Sequence, residues 1–257
     1  MGDLIAQLAD AFTPLAQIVW PIFGLFARLS LFFMLVPVFG EKAVPSRVRL
    51  SSAALAAFLL YPVMGPQLND AREMGVFTLL AKEAVTGFVM GFSLRLFVHA
   101  LQFLGMIVSQ SLSLSQPLGN GISTEPNTTI STLLMVSGVT VLVTVDMHIV
   151  LFGIILNSFE GMPLGLAVDS GNSADWLTGV AVSLFRLCLS LALPFLILNF
   201  AYNLILGFLN RAMPQLLVSF VGLPGITLAG LFLLMFCAAA MLTGWLDAFG
   251  EFLTEFG

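Results

Sequence analysis

The sequence predicts an all-α integral membrane protein built from about six apolar helical segments, several of them kinked or paired as hairpins. Two observations carry this. Hydrophobic residues make up 59% of the 257 positions and charged residues 9%, against roughly 25% charged in soluble domains, and mean hydropathy is +1.04. The apolar residues also gather into long runs, at 15–39, 50–64, 76–108, 130–159, 176–209 and 226–249. That leaves short loops and no room for a separate soluble domain of ordinary size, so residues 1–257 are expected to form one membrane domain. Asp3 and Asp10 are the first charges and no basic region precedes the run from Leu15. A cleaved secretory signal is therefore not expected, and the first helix should be retained.

The six segments are uneven. A span needs about 20 residues at 1.5 Å each, so the second is short, while a continuous third helix would be roughly 50 Å long for a hydrocarbon core of about 30 Å. Pro194 lies near the middle of the fifth, where it removes a backbone donor and is expected to kink or break the helix. Segments three and five are thus expected to be bent, broken or extended beyond the bilayer.

Polar residues within the segments mark contacts with protein or water. In segment three Glu83, Gly87, Gly91, Arg95 and His99 recur every four residues and follow one face. Gly87 and Gly91 form a GxxxG pair that admits another backbone. This face suits docking of a partner subunit or, as readily, packing against a helix of the same chain with Arg95 reaching to the interface. In segment five, Asn199, Asn203 and Asn210 lie within about 40° of one face and suit interhelical hydrogen bonding. Asp146 and His148 invite a proton-relay reading, but a spacing of two sets them about 200° apart, which favours local bonds at a helix end. Arg28 and Arg186 stand alone in apolar runs; a pore-facing position, an interfacial one or a partner carboxylate would each account for them.

Lys42, Arg47 and Arg49 cluster between segments one and two and Arg211 lies between five and six, whereas Glu160, Asp169 and Asp175 and the tail with Asp247, Glu251 and Glu255 lack basic neighbours. By the positive-inside rule the first and fifth loops face the cytoplasm and both termini face outward.

Between segments three and four, residues 109–130 (SQSLSLSQPLGNGISTEPNTTI) hold one charge, Glu125. They carry too many polar groups for bare lipid and too few charges for an ordinary solvated loop. Leu112, Leu114, Leu118 and Ile122 among small hydroxyl residues suit a segment packed inside protein or lying across a water-filled passage.

Enzyme chemistry finds little support. His99, His148, Cys188 and Cys237 supply no zinc set at a familiar spacing, and HExxH, P-loop and dinucleotide fingerprints are absent from the sequence. No catalytic residue, metal, cofactor or nucleic-acid partner is expected. A small-molecule secondary transporter would share broken helices and midplane polar residues, usually with paired internal repeats that this sequence lacks.

Three stretches carry a family resemblance: PVFGEKAVPSRVRL (37–50), the E-x3-G-x3-G-x3-R pattern from Glu83 with Leu101-Gln102 following, and NRAMPQLLVSFVGLP (210–224). They resemble the FliR family of flagellar export-gate proteins and its injectisome relatives, in the expected order and over nearly the whole chain. Pro37, Pro45, Arg47, Arg49, Arg211, Pro214 and Gln215 are the motif residues, and Arg211, Pro214 and Gln215 are the most specific of them. The resemblance implies a helical gate in the bacterial inner membrane at the flagellar basal body, assembled with FliP-like and FliQ-like proteins and joined by FlhB-like and FlhA-like components. Unfolded flagellar subunits would pass through it. It also implies that residues 109–130 plug the closed channel, with Leu112, Leu114, Leu118 and Ile122 sealing and Gly119 and Gly121 permitting movement. The Asp146-Met147 pair before His148 departs from the family pattern. Flagellar duty is favoured over the injectisome alternative on the PVFG and PQ segments.

Overall fold

The computed structural model describes residues 2–41, 44–64, 75–112, 129–166, 170–212 and 218–256. Among them are seven helices: α1 (Gly2–Leu35), α2 (Ser46–Leu60), α3 (Val76–Ser111), α4 (Thr129–Thr144), α5 (Met147–Gly161), α6 (Ser170–Ala212) and α7 (Val218–Phe256). Four contain stretches long and apolar enough to cross a membrane, Ile18–Leu35, Val76–Ser111, Gly171–Ala212 and Pro224–Thr254, and α4 with α5 would make a fifth, bent span. The chain is an all-helical membrane protein, with four to five spans where the run lengths gave about six.

Two features account for the difference. The 15 residues of α2 rise only about 22 Å, short of the hydrocarbon core. The fourth apolar segment is two helices, because Asp146 adopts left-handed dihedrals, φ 52° and ψ 27°, which a continuing α-helix does not admit. By contrast α6 runs unbroken for 43 residues with Pro194 inside it, so the expected break there does not occur. α3 is likewise continuous over 36 residues. Both are extended rather than broken, at about 54 and 64 Å of rise.

The chain gathers into two compact units, residues 1–95, 146–179 and 257, and residues 96–145 with 180–256. In the first, Leu25, Leu29, Phe32 and Phe33 of α1 are buried with Leu79 and Met90 of α3 and Phe159 of α5. The three-and-four spacing on α1 places its stripe on one side of the helix. The second has its core in Phe97, Leu101 and Leu104 of α3, Leu134 and Leu142 of α4, Cys188 and Phe195 of α6, and Trp245 and Phe249 of α7. There Phe97 meets Phe249 edge-on at 4.9 Å and Trp245 stacks on Phe249 at 5.7 Å. The indole N–H of Trp245 donates to the Phe97 carbonyl at 2.9 Å, which satisfies the one polar group this large side chain brings inside.

Candidate functional site

The polar centre of the first unit is an ion pair with no solvent exposure on either side chain: Arg28 Nε lies 2.6 Å from Glu83 Oε2. Arg28 Nη2 donates to the Met162 carbonyl at 3.0 Å and Nη1 approaches Ser158 Oγ at 3.5 Å, while the guanidinium carbon sits 4.3 Å from the centre of the Phe159 ring. The second carboxylate oxygen of Glu83 accepts the Gly165 N–H at 2.8 Å, and Lys82 Nζ donates to the Gly165 carbonyl at 3.0 Å. Gly165 has φ 90°, a conformation glycine adopts without steric cost. The cluster therefore fastens α1, α3, α5 and the turn after α5 to one another. Such a buried pair is tolerated when its other polar atoms find partners, and here each guanidinium nitrogen and each carboxylate oxygen has one. Of the readings open for Arg28, it is the partner carboxylate that the structure realises.

The small-residue face of α3 is filled from within the chain. A Cβ on Gly87 would collide with the backbone carbonyl of Arg28, and one on Gly91 would stand 2.9 Å from Leu35 Cβ and 3.2 Å from Phe32 Cα. Glu83 and Arg95, which flank the glycines, are engaged as well, Arg95 Nη1 with Glu41 Oε1 at 2.6 Å. His99 Nδ1 lies 2.9 Å from Gln102 Oε1. Of the two readings of this face, packing against the same chain is realised at Glu83, Gly87 and Gly91 by α1. Arg95 finds a carboxylate instead of reaching to an interface.

The corner between α1 and α2 is built by the 37–50 motif. Val38 has φ 74°, the Phe39 N–H donates to the Pro37 carbonyl at 3.0 Å and the Gly40 N–H to the Val36 carbonyl at 2.7 Å. A positive φ is costly for a β-branched residue, by about 1–3 kcal/mol. The turn is held from outside: Phe39 packs on Phe33 and Phe152 at 5.5 and 6.0 Å. Arg49 Nη2 donates to the carbonyls of Glu41 and Val44 at 2.6 and 2.7 Å. Pro45 is the N-cap of α2 and Arg47 is exposed. Glu41, the partner of Arg95, was not legible in the sequence, since no local spacing relates the two.

At the root of the polar loop, Leu112 is fully buried against α7, in the space that a Cβ on Gly230 would occupy. Thr227 Oγ1 lies 3.4 Å from the Leu112 carbonyl. Leu114, Leu118, Gly119, Gly121 and Ile122 lie outside the described residues, as do Pro214 and Gln215. Arg211 is exposed in the last turn of α6.

Of the asparagines of α6, Asn199 and Asn203 bond within the helix and not between helices: Asn203 Nδ2 donates to the backbone and side-chain oxygens of Asn199, at 2.8 and 3.0 Å. Asp146 is the N-cap of α5 without a side-chain capping bond; its carbonyl accepts the Ile149 N–H at 2.9 Å. Cys188 is buried, with Sγ 3.2 Å from the Ala100 carbonyl. Among the described residues no three His, Cys, Asp or Glu side chains gather as a metal site.

A family model described as bacterial export proteins, family 1, matches residues 19–252. Among curated relatives, the chain is 30% identical to the flagellar biosynthetic protein FliR of Caulobacter vibrioides, over 90% of this chain and 93% of that protein. It is 27% identical to the protein of that name from Escherichia coli, over 80% and 77% of the two chains. For the one from Bacillus subtilis the figures are 25%, over 80% and 82%.

Proposed function

This chain belongs to family 1 of the bacterial export proteins, and on that basis we propose that it is a non-enzymatic component of the flagellar type III export gate in the inner membrane. The observation that carries the reading is the family match across residues 19–252, within which the three motif stretches all fall. The relatives just described carry the flagellar name, which supports flagellar over injectisome duty. Its role there is scaffold and conduit. Helices of 36 and 43 residues exceed a bilayer's thickness and suit a complex that extends beyond the membrane plane. The partners are FliP-like and FliQ-like membrane proteins, with FlhB-like and FlhA-like components beside them and unfolded flagellar proteins in transit.

Deletion of the gene is expected to abolish motility and the export of flagellar proteins, with recovery on expression of the intact chain. Undiminished export in the deletion strain would reject the assignment. Native mass spectrometry in mild detergent, after co-expression with the genomic neighbours, is expected to find this chain bound to two smaller membrane proteins; a lone chain would remove the partner assignment.

Within this reading residues 109–130 close the resting channel. Because Leu112 is anchored on Gly230, the informative deletion is 114–122, which leaves that anchor in place. An ion leak with the complex still assembled is the expected result, and an intact ion barrier would reject the seal.

A further inference from the structure

Each end of the polar segment 109–130 is held in the second unit by a contact that only a glycine allows. At the first end the partner is α7, which runs antiparallel to α3 in a register marked by the bond from the Trp245 indole to the Phe97 carbonyl. Leu112 stands fifteen residues beyond Phe97, and Gly230 fifteen residues before Trp245. Equal counts carry both about 22 Å along the paired helices, so the two residues meet. The Leu112 side chain has no solvent exposure, and its Cδ1 and Cγ lie 2.7 and 2.8 Å from where a Cβ on Gly230 would stand. Three residues before Gly230, Thr227 Oγ1 lies 3.4 Å from the Leu112 carbonyl.

At the second end the partner is α3 itself. Gly138 of α4 faces Leu101 and Ser131 faces Gly105, so α4 runs back along α3. A Cβ on Gly105 would collide with the Ser131 Cα and stand 2.7 Å from the Ser131 nitrogen. Ser131 Oγ donates to the Gln102 carbonyl at 3.0 Å, and Ile130 and Ser131 are buried. Here main chain meets main chain, and no flexible side chain lies between them to yield.

Neither glycine serves a turn. Both lie inside helices, where glycine is a weaker helix former than alanine, so close approach is what each supplies. Carbon atoms pack at about 3.5–4.0 Å, and a methyl group at Gly230 would push Leu112 out by about 1 Å. One at Gly105 would part α4 from α3 by at least as much. Functional groups are held to within about 0.5 Å by the packing of their supports, so either shift misplaces the residues that the root carries.

We propose that Gly105 and Gly230 are positioning residues for the segment 109–130, fixing its two roots so that it closes the channel; this rests on the reading of that segment as the seal. The first test is the accessibility of the root. In the full chain co-expressed with its genomic neighbours, with Cys237→Ala leaving only the buried Cys188, the thiol introduced by Leu112→Cys is expected to resist maleimide. Adding Gly230→Ala should quicken its labelling several-fold. Gly225→Ala on the same helix should not, because nothing lies within 4 Å of its Cβ. Equal labelling with and without Gly230→Ala would overturn the proposal. Should Gly230→Ala fail to assemble, Thr227→Val removes the hydroxyl facing the Leu112 carbonyl; a smaller gain in labelling is expected, and none would overturn it.

The second test is ion leak, with assembly checked by recovery of the co-expressed partners. Gly230→Ala and Gly105→Ala are each expected to raise the leak several-fold in assembled complexes. Leu112→Ala combined with Gly230→Ala should bring it below the value for Gly230→Ala alone, because the shortened side chain makes room for the added methyl. A double variant as leaky as Gly230→Ala would overturn the direct contact. The 114–122 deletion separates the two readings. A leak there with none in either glycine variant would overturn the positioning and leave the seal standing, whereas no leak in the deletion would overturn both.

Discussion

The two units use similarly apolar helices and hold them together by different means. The first turns on charge and main chain: a fully buried Arg28–Glu83 pair, a glycine turn clamped by Glu83 and Lys82, and an α3 backbone laid against that of α1 at Gly87. The second relies on aromatic rings around Phe97, Trp245 and Phe249, with neutral hydrogen bonds to main-chain carbonyls. Composition alone therefore does not say how a membrane helix is fastened. A charge pair tolerates no partial replacement, whereas an aromatic cluster loses stability in proportion to what is removed.

The largest effect expected from that contrast is at Arg28. Arg28→Met leaves Glu83 buried without its counter-charge and should destabilise the protein by about 3–5 kcal/mol, seen as early loss of ellipticity on heating in mild detergent. The double variant Arg28→Met with Glu83→Leu should be more stable than either single one. If it is not, packing shape outweighs charge compensation.

Gly87→Ala comes next. Its Cβ meets the Arg28 carbonyl, and displacement of α1 should cost about 1–3 kcal/mol. Gly153→Ala is the control: nothing lies within 4 Å of its Cβ, so helix propensity should stabilise it by up to about 1 kcal/mol. Equal behaviour of the two would mean that the α1–α3 approach is looser than the backbone contact implies.

Trp245→Phe sharpens the comparison from the other unit. It removes the indole donor to the Phe97 carbonyl, for about 1–3 kcal/mol with that carbonyl left unpaired. Maleimide labelling of the buried Cys188 should quicken. An unchanged labelling rate would place the two residues in independent parts of the core. Asn203→Ala should be the smallest change, within about 0.5 kcal/mol, because Asn203 is exposed and its bonds are to Asn199 of the same helix. A large loss of stability on heating would show that this amide is covered by something beyond the chain.

Much of the fold was legible in the residues. Low charge and long apolar runs determined a helical membrane protein, and the runs fell on helices, because transfer into lipid depends on each residue and its near neighbours. Gly87 and Gly91 marked a close approach, and the three motif stretches marked the family. Tertiary structure decided the rest. Whether α1 or a partner filled the glycine face, that Arg28 meets Glu83 across 55 residues and that Glu41 meets Arg95 across 54 are long-range pairings that no local period encodes. So too, Pro194 left α6 unbroken while Asp146, in the left-handed region, divided the fourth segment. Local preference sets the cost of each conformation, and the packing around a residue determines whether that cost is borne.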